Sequence, residues 1–201
     1  MKTFKRRDIT MRSFPALFLL LPLLAGCASL SQEECQTGDW GAVGANDAME
    51  GRDATRFSEH IEACSKYDIA PDKKLYEIGY QKGLRSYCTP SNGFSVGRNG
   101  YSYRQICPPA SEPEFMRGYL RGSALHETET EIAEKEQELT RLKTERAELR
   151  ASKKEDKKRK SLRRVARDID ALEWDLHRLR FKRDRALVEA DHFLQTIEPV
   201  I

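Results

Sequence analysis

An apolar run of about eleven residues, Phe14 to Leu24, follows a basic start (Lys2, Lys5, Arg6, Arg7, Arg12) and ends in Leu24-Ala25-Gly26-Cys27. This stretch decides how much chain is left to fold and in what surroundings. A charged start, a greasy segment and small residues before a cut site make an export signal. The run is well short of the roughly 20 residues a membrane-spanning helix needs. Residues 1–26 are therefore expected to be removed, which leaves 175 of the 201 residues to fold. Met11 would serve as an initiator as well as Met1, because the signal works without its first ten residues.

Cys27 directly after Ala25-Gly26 resembles a bacterial lipobox, which implies a diacylated thiol, cleavage before the cysteine and acylation of the new amine. Two or more acyl chains hold a protein stably at a membrane, at about 0.8 kcal/mol per buried methylene. Ala28 stands where an aspartate would imply retention at the inner membrane. The expected address is thus the inner leaflet of the outer membrane, with the protein facing the periplasm. Arg6-Arg7 faintly resembles a twin-arginine signal, but the general secretory route suits a chain that forms disulfides after export.

Five cysteines stand at 27, 35, 64, 88 and 107. Lipidation of Cys27 leaves an even number in an oxidising compartment, the setting for two disulfides. Spacing does not choose among the three pairings; the shortest loop closures, Cys35–Cys64 with Cys88–Cys107, are the expectation. No C-x-x-C knuckle occurs, so no metal site is expected, and nothing points to a cofactor. The signal holds five Lys/Arg and one Asp, a net +4 against +3 for the whole chain, so the remainder is net −1. Overall basicity is thus no argument for nucleic acid.

The fold class expected is mainly α: a small disulfide-braced helical domain followed by a long helical hairpin, an antiparallel coiled coil. Residues 27–34 read as a lipidated polar linker and 35–122 as a Cys- and Gly-rich globular domain. Within it, one helix is expected from Trp40, with Asp39 as its N-cap. A second should run from an Asp53 cap through Phe57, Ile61 and Cys64, and a third from Pro71 to Cys88. Glycine costs roughly 1 kcal/mol in a helix relative to alanine, yet Gly44-x-x-x-Ala48, Gly79-x-x-x-Gly83 and Gly118-x-x-x-Gly122 recur. Such strips let another backbone approach closely, here as packing inside the domain or as a face for a partner helix.

The segment between Cys88 and Cys107 carries the turn signals Asn92-Gly93 and Asn99-Gly100. It reads as a short hairpin, Phe94–Val96 against Tyr101–Tyr103, or as an ordered loop. Arg98, Tyr101, Tyr103 and Arg104 are its candidate binding residues. For catalysis the polar candidates are Asp39, Asp47 and His60, a carboxylate–imidazole set able to move protons if it converged. No G-x-S-x-G motif and no phosphate-binding glycine loop accompanies them, so an enzyme is not the expectation.

The run Gly38-Asp39-Trp40, Gly44, Asp47, Gly51, His60, Ala63-Cys64, then Tyr76-x-x-Gly79-x-x-x-Gly83-Leu84-x-x-Tyr87-Cys88, Asn92-Gly93, Gly97, Gly100, Tyr103, Cys107-Pro108 and Phe115-x-x-Gly118-Tyr119 resembles a family of proteobacterial lipoproteins. The family is known as domain of unknown function number 2799. Ala48 departs from the glycine its pattern has, and both are small. The resemblance implies an outer-membrane lipoprotein with a trailing helical region and supplies no activity.

From Ser111-Glu112-Pro113-Glu114, a capping-box pattern, no proline recurs until Pro199. One seam is Ile132, Leu139, Leu142 and Leu149, interrupted by Lys135 and Arg146. A second runs Leu162, Val165, Ile169, Leu172, Leu176, Leu179, Ala186, Ala190, Phe193 and Ile197. Leu149 to Leu162 spans thirteen residues, one short of two heptads, so the seams are out of phase. One continuous helix would be a rod of roughly 110 Å. Two antiparallel helices over 123–198, turning near Lys153–Lys158, would instead bury both seams against each other, and the slip favours them. The gap from 150 to 164 holds nine Lys/Arg against two acids. Lys153, Lys154, Lys157 and Lys158 are candidate contacts for an anionic envelope polymer or lipid phosphate. The partners implied are the membrane through Cys27 and a protein or such a polymer.

Overall fold

The computed structural model describes residues 29–152 and 155–197, and among them every regular element is a helix. The seven are α1 (Gln32–Thr37), α2 (Trp40–Met49), α3 (Arg56–Ser65), α4 (Lys73–Tyr87), α5 (Pro90–Arg98), α6 (Glu112–Ala151) and α7 (Glu155–Ile197). None is long and apolar enough to cross a membrane. The fold is thus mainly α, as expected. Cys27, Lys153, Lys154 and the side chain of Lys157 lie outside the described residues.

The head is built from two helix crossings. In the first, α2 lies against α4 so closely that a methyl group at Gly79 would stand 1.9 Å from the Gly41 carbonyl oxygen. One at Gly44 would stand 2.1 Å from that of Tyr76, and one at Gly83 2.3 Å from that of Ala45. In the second, α5 lies against α6 in the same register. A methyl group at Gly118 would stand 1.9 Å from the Pro90 carbonyl oxygen, one at Gly93 2.1 Å from that of Phe115 and one at Gly122 2.2 Å from that of Phe94. Positions 41, 44, 45 and 48 of α2 thus recur in α5 at 90, 93, 94 and 97. Positions 76, 79, 80 and 83 of α4 recur in α6 at 115, 118, 119 and 122. Even the rings agree: Tyr76 stacks on Tyr80 at 6.0 Å and Phe115 on Tyr119 at 6.2 Å. The small-residue strips therefore pack within the head, and the head is a tandem repeat of one unit.

Each crossing has its own disulfide. Cys35–Cys64 joins the segments that lead into α2 and α4, and Cys88–Cys107 those that lead into α5 and α6, both with Cα atoms 5.6 Å apart. These are the two short closures. Each also shortens the loop that an unfolded chain would otherwise explore.

Several local expectations are corrected. The 94–103 hairpin is absent; α5 is a helix instead, because Thr89 accepts a hydrogen bond from the Asn92 amide and Pro90 suits the first turn. Asp39 does cap α2, accepting from Ala42 N at 2.9 Å. Asp53 instead caps the turn ahead of α3, where it accepts from Thr55 N. Asp72, not Pro71, opens α4. Ile61 is 46% exposed, because α3 turns His60 inward in its place. Ser111 donates to the Pro108 carbonyl, and Glu114 pairs with Arg117 at 2.7 Å, so the expected capping box does not form. The capping box lies at Ser31 and Glu34, inside the supposed linker. Residues 29–34 belong to the fold, and Leu30 is buried in the main core.

The helix α6 runs unbroken from the head into the tail and ends as Ser152 N donates to the Glu148 carbonyl. Antiparallel pairs fix α7 beside it: Arg180–Glu136 (2.6 Å), Lys143–Glu173 (2.8 Å) and Lys135–Asp175 (3.5 Å). Ile132, Leu142, Val165, Ile169, Leu176 and Leu179 are buried between the two helices. Phe193 comes back to the head, where the Arg121 guanidinium lies over its ring at 4.6 Å.

Candidate functional site

Two polar groupings stand out in the head, one closed and one open. The closed one centres on Asp47, which α2 projects into the first crossing. Its Oδ2 accepts from the Tyr76 hydroxyl (2.8 Å) and from His60 Nε2 (2.7 Å). His60 Nδ1 lies 2.8 Å from the Ser29 hydroxyl. Burial, and then the bond to Asp47, raises the Tyr76 phenol above its ordinary range. Of the three polar candidates, the structure brings Asp47 and His60 together, while Asp39 is held apart at the start of α2.

Ser29, His60 and Asp47 have the composition of an acyl-transfer triad. His60 is only 1% exposed, however, and both its nitrogens are engaged inside the fold. The arrangement ties the first described residues to α2, α3 and α4.

The open grouping is a cleft of about 610 Å³ at the seam between the two crossings. The loop after α2 supplies Met49 to Arg52, and the end of α4 supplies Tyr87. One face of α5 supplies Asn92, Ser95 and Val96, and the segment after α5 supplies Asn99, Tyr101, Ser102 and Arg104. The two loops are counterparts in the repeat, and each turns on a glycine of positive φ, Gly51 (+72°) and Gly100 (+73°). A side chain at either glycine would also collide with the ring of Tyr87 or of His126. Arg52 is bonded to Glu50 at 2.7 Å, and Arg104 lies 3.8 Å from Asp53. Tyr87 is 5% exposed, and its hydroxyl has no hydrogen-bond partner among the described residues. Burial raises its pKa, so it lines the cleft as a neutral donor. Exposed Tyr101, amides, hydroxyls and rim guanidinium groups form a surface suited to a small hydroxyl-bearing or anionic ligand.

Of the four binding candidates in this region, Tyr101 and Arg104 line the cleft. Tyr103 turns inward: its hydroxyl donates to Glu112 and accepts from Cys107 N, both at 3.0 Å, and its ring packs on Phe115. Arg98 is held by Glu129 of α6 at 2.6 Å. Sequence reasoning missed Tyr87 and Arg52; the repeated Gly51 and Gly100 turns were the signal that could have found them. At the hairpin tip, Lys158 Nζ donates to the Ser152 carbonyl at 2.8 Å. Arg159, Lys160, Arg163 and Arg167 line an open recess of about 600 Å³. Among the described residues no group of three or more His, Cys, Asp or Glu is placed to hold a metal ion.

No curated protein and no solved structure matches the chain. The segment that contains both crossings, residues 39–124, matches the model of the family described as protein of unknown function (DUF2799), so the head of this chain resembles that family.

Proposed function

We propose that the chain is a lipid-anchored, non-enzymatic binding protein of the bacterial cell envelope. Cys27 would carry the acyl chains in the outer membrane, and head and hairpin would face the periplasm. The observation that carries this reading is the seating of Ser29 and Leu30. Ser29 is held by His60, and Leu30 is buried in the main core. Residues only two and three positions after the cysteine that would be acylated are thus part of the fold, so an anchor there would hold the head against the bilayer surface. His60 then has a structural task, which favours binding over catalysis by Asp39 and His60. The seam cleft is the place we assign to a ligand.

The test is the mass of the mature N-terminal peptide together with fractionation. A triacylated Cys27 in the outer-membrane fraction, released to the soluble periplasm by Cys27→Ser, is the expected result. An unmodified residue 27 would overturn the mooring. Asp39→Asn and His60→Ala variants that fold and fully complement a deletion strain would remove the enzymatic alternative.

A second reading has its own observation, the recess of Arg159, Lys160, Arg163 and Arg167 at the hairpin tip. Such a cluster would hold an anionic envelope polymer or lipid phosphate with an affinity that falls as salt rises. Neutralising Lys153 to Lys160 without loss of retention on cell wall or on anionic vesicles would eliminate it.

A further inference from the structure

The outer face of α7 carries a stripe that the hairpin does not use. Trp174 and Phe181 are each 68% exposed and Val188 is 71% exposed. They stand seven residues apart, so at about 100° per residue they fall within about 40° of one another. By the same geometry they point away from α6, since Leu172 and Ala190 of the inner seam lie about half a turn from Phe181. Single exposed apolar residues need no explanation, but a contiguous apolar stripe marks a contact surface. A helix that is apolar on two opposite faces packs against two neighbours, and α6 covers only one of these.

The charges beside the stripe say which neighbour fits. Arg178 and Arg185 flank it on one side, and Asp184 and Asp191 on the other. In the isolated chain these charges are satisfied along α7 itself, Arg178 by Asp175 (3.4 Å), Arg185 by Glu189 (3.2 Å) and Asp184 by Arg183 (2.7 Å). Those pairs are exposed and are cheaply exchanged for others. We propose that the stripe is closed by the same stripe of a second copy of this chain, in a parallel two-fold dimer.

A two-fold axis along α7 sets the basic edge of one copy against the acidic edge of the other. It also brings Trp174, Phe181 and Val188 each onto its own counterpart. An antiparallel pair would set Arg178 near Arg185 of the other copy, like charge against like. Seven-residue spacing keeps one position per heptad on the seam between two supercoiled helices, and two hairpins joined along it make a four-helix bundle. Aromatic anchors carry most of the energy of such contacts.

Sedimentation of the full chain carrying Cys27→Ser, which removes the lipid as a cause of association, tests this. The expected result is a concentration-dependent dimer. Phe181→Glu should weaken it at least about tenfold with unchanged helix content by circular dichroism, since the site is exposed. Val188→Cys should form an intermolecular disulfide on oxidation, because parallel packing places that position on the axis. A monomer at about 100 μM would overturn the proposal and would leave the stripe to a helix of another protein. So would a larger oligomer, a dimer indifferent to Phe181→Glu, or a dimer in which Val188→Cys does not cross-link.

Discussion

The two crossings of the head share a backbone plan and differ in what fills it. Where the first has Asp47 and Tyr76, the second has Val96 and Phe115 at the corresponding positions. The first hides a carboxylate, a phenol and an imidazole bonded to one another, while the second closes around Phe115 and the rings of Tyr87, Tyr103 and Tyr119. Both changes go together, as they must. A buried hydroxyl without Asp47 would lack an acceptor, and a buried carboxylate without Tyr76 and His60 would be left with only the Arg52 guanidinium, 3.9 Å away. The comparison separates what the crossing needs, small residues in register and one disulfide, from what the first crossing adds. That addition is a polar tie reaching out to Ser29.

The sharpest way to break the comparison is Asp47→Ala. It orphans His60 Nε2 and the Tyr76 hydroxyl together, at a cost of about 4 kcal/mol for two buried donors. The counterpart Val96→Ala removes only methyl groups and should cost about 1.5 kcal/mol. Equal losses in urea unfolding would mean that the polar tie contributes little. Next come Gly79→Ala and Gly118→Ala, which force a methyl group to within 1.9 Å of the Gly41 and Pro90 carbonyl oxygens. Each should cost about 3 kcal/mol, net of the gain in helix propensity, and the two should cost the same. A crossing that tolerates its substitution is not the equivalent of the other.

A smaller effect is expected from exchanging the central rings. Tyr76→Phe should cost about 2 kcal/mol through the lost bond to a carboxylate. Phe115→Tyr should cost a similar amount, about 2 kcal/mol, through a hydroxyl buried without a partner. If Phe115→Tyr were neutral, the second core would be more open than its 0% exposure implies.

How far the sequence discloses this fold depends on whether the signal is local. The hairpin was legible because two apolar seams thirteen residues apart cannot lie on one face of one helix, and α6 ends and α7 begins inside that gap. The Asp39 cap was legible for the same local reason, whereas the disulfide pairing, which spacing did not choose, followed the expectation of the shortest closures. The second crossing was not. Asn92-Gly93 reads as a turn, and a glycine placed for the close approach of another helix looks the same in one dimension as a glycine placed to bend the chain. Thr89-Pro90 was the competing signal, and it prevails because α6 lies where Gly93 and Gly97 can meet it. The choice between Asp39 and Asp47 as the partner of His60 was hidden, because Asp47 reaches it only through the angle at which α2 and α3 pack, which no spacing encodes. The cleft was half visible: Tyr101 and Arg104 come from one loop, but Tyr87 and Arg52 join them only across the seam.

The finest comparison vanishes at neutral pH and emerges only in alkali. Burial raises the phenol of Tyr80 in the first crossing to about 12, helped by Asp53 and Asp47. Burial likewise raises Tyr103 in the second to about 12, opposed by the Cys107 amide and helped by Glu112. In the unfolded chain a phenol titrates near 10, so between about 10 and 12 the folded protein holds protons that the unfolded chain has released. Stability is then complete below about pH 10 and falls as pH rises through that window. The urea midpoint should stay level up to about pH 9.5 and decline above it. Tyr80→Phe and Tyr103→Phe should each flatten the decline, because each removes one raised phenol. Tyr87 of the second core is raised by burial as well, and Tyr76 is raised furthest, chiefly by burial and then by its bond to Asp47, so the first crossing should go on losing stability to higher pH than the second. Amide exchange read separately on α4 and on α5 would report that difference. Equal declines in the two crossings would mean that burial and Asp47 together do not hold the Tyr76 proton beyond the other phenols, and the distinction between a polar and an apolar crossing would then be one of composition alone.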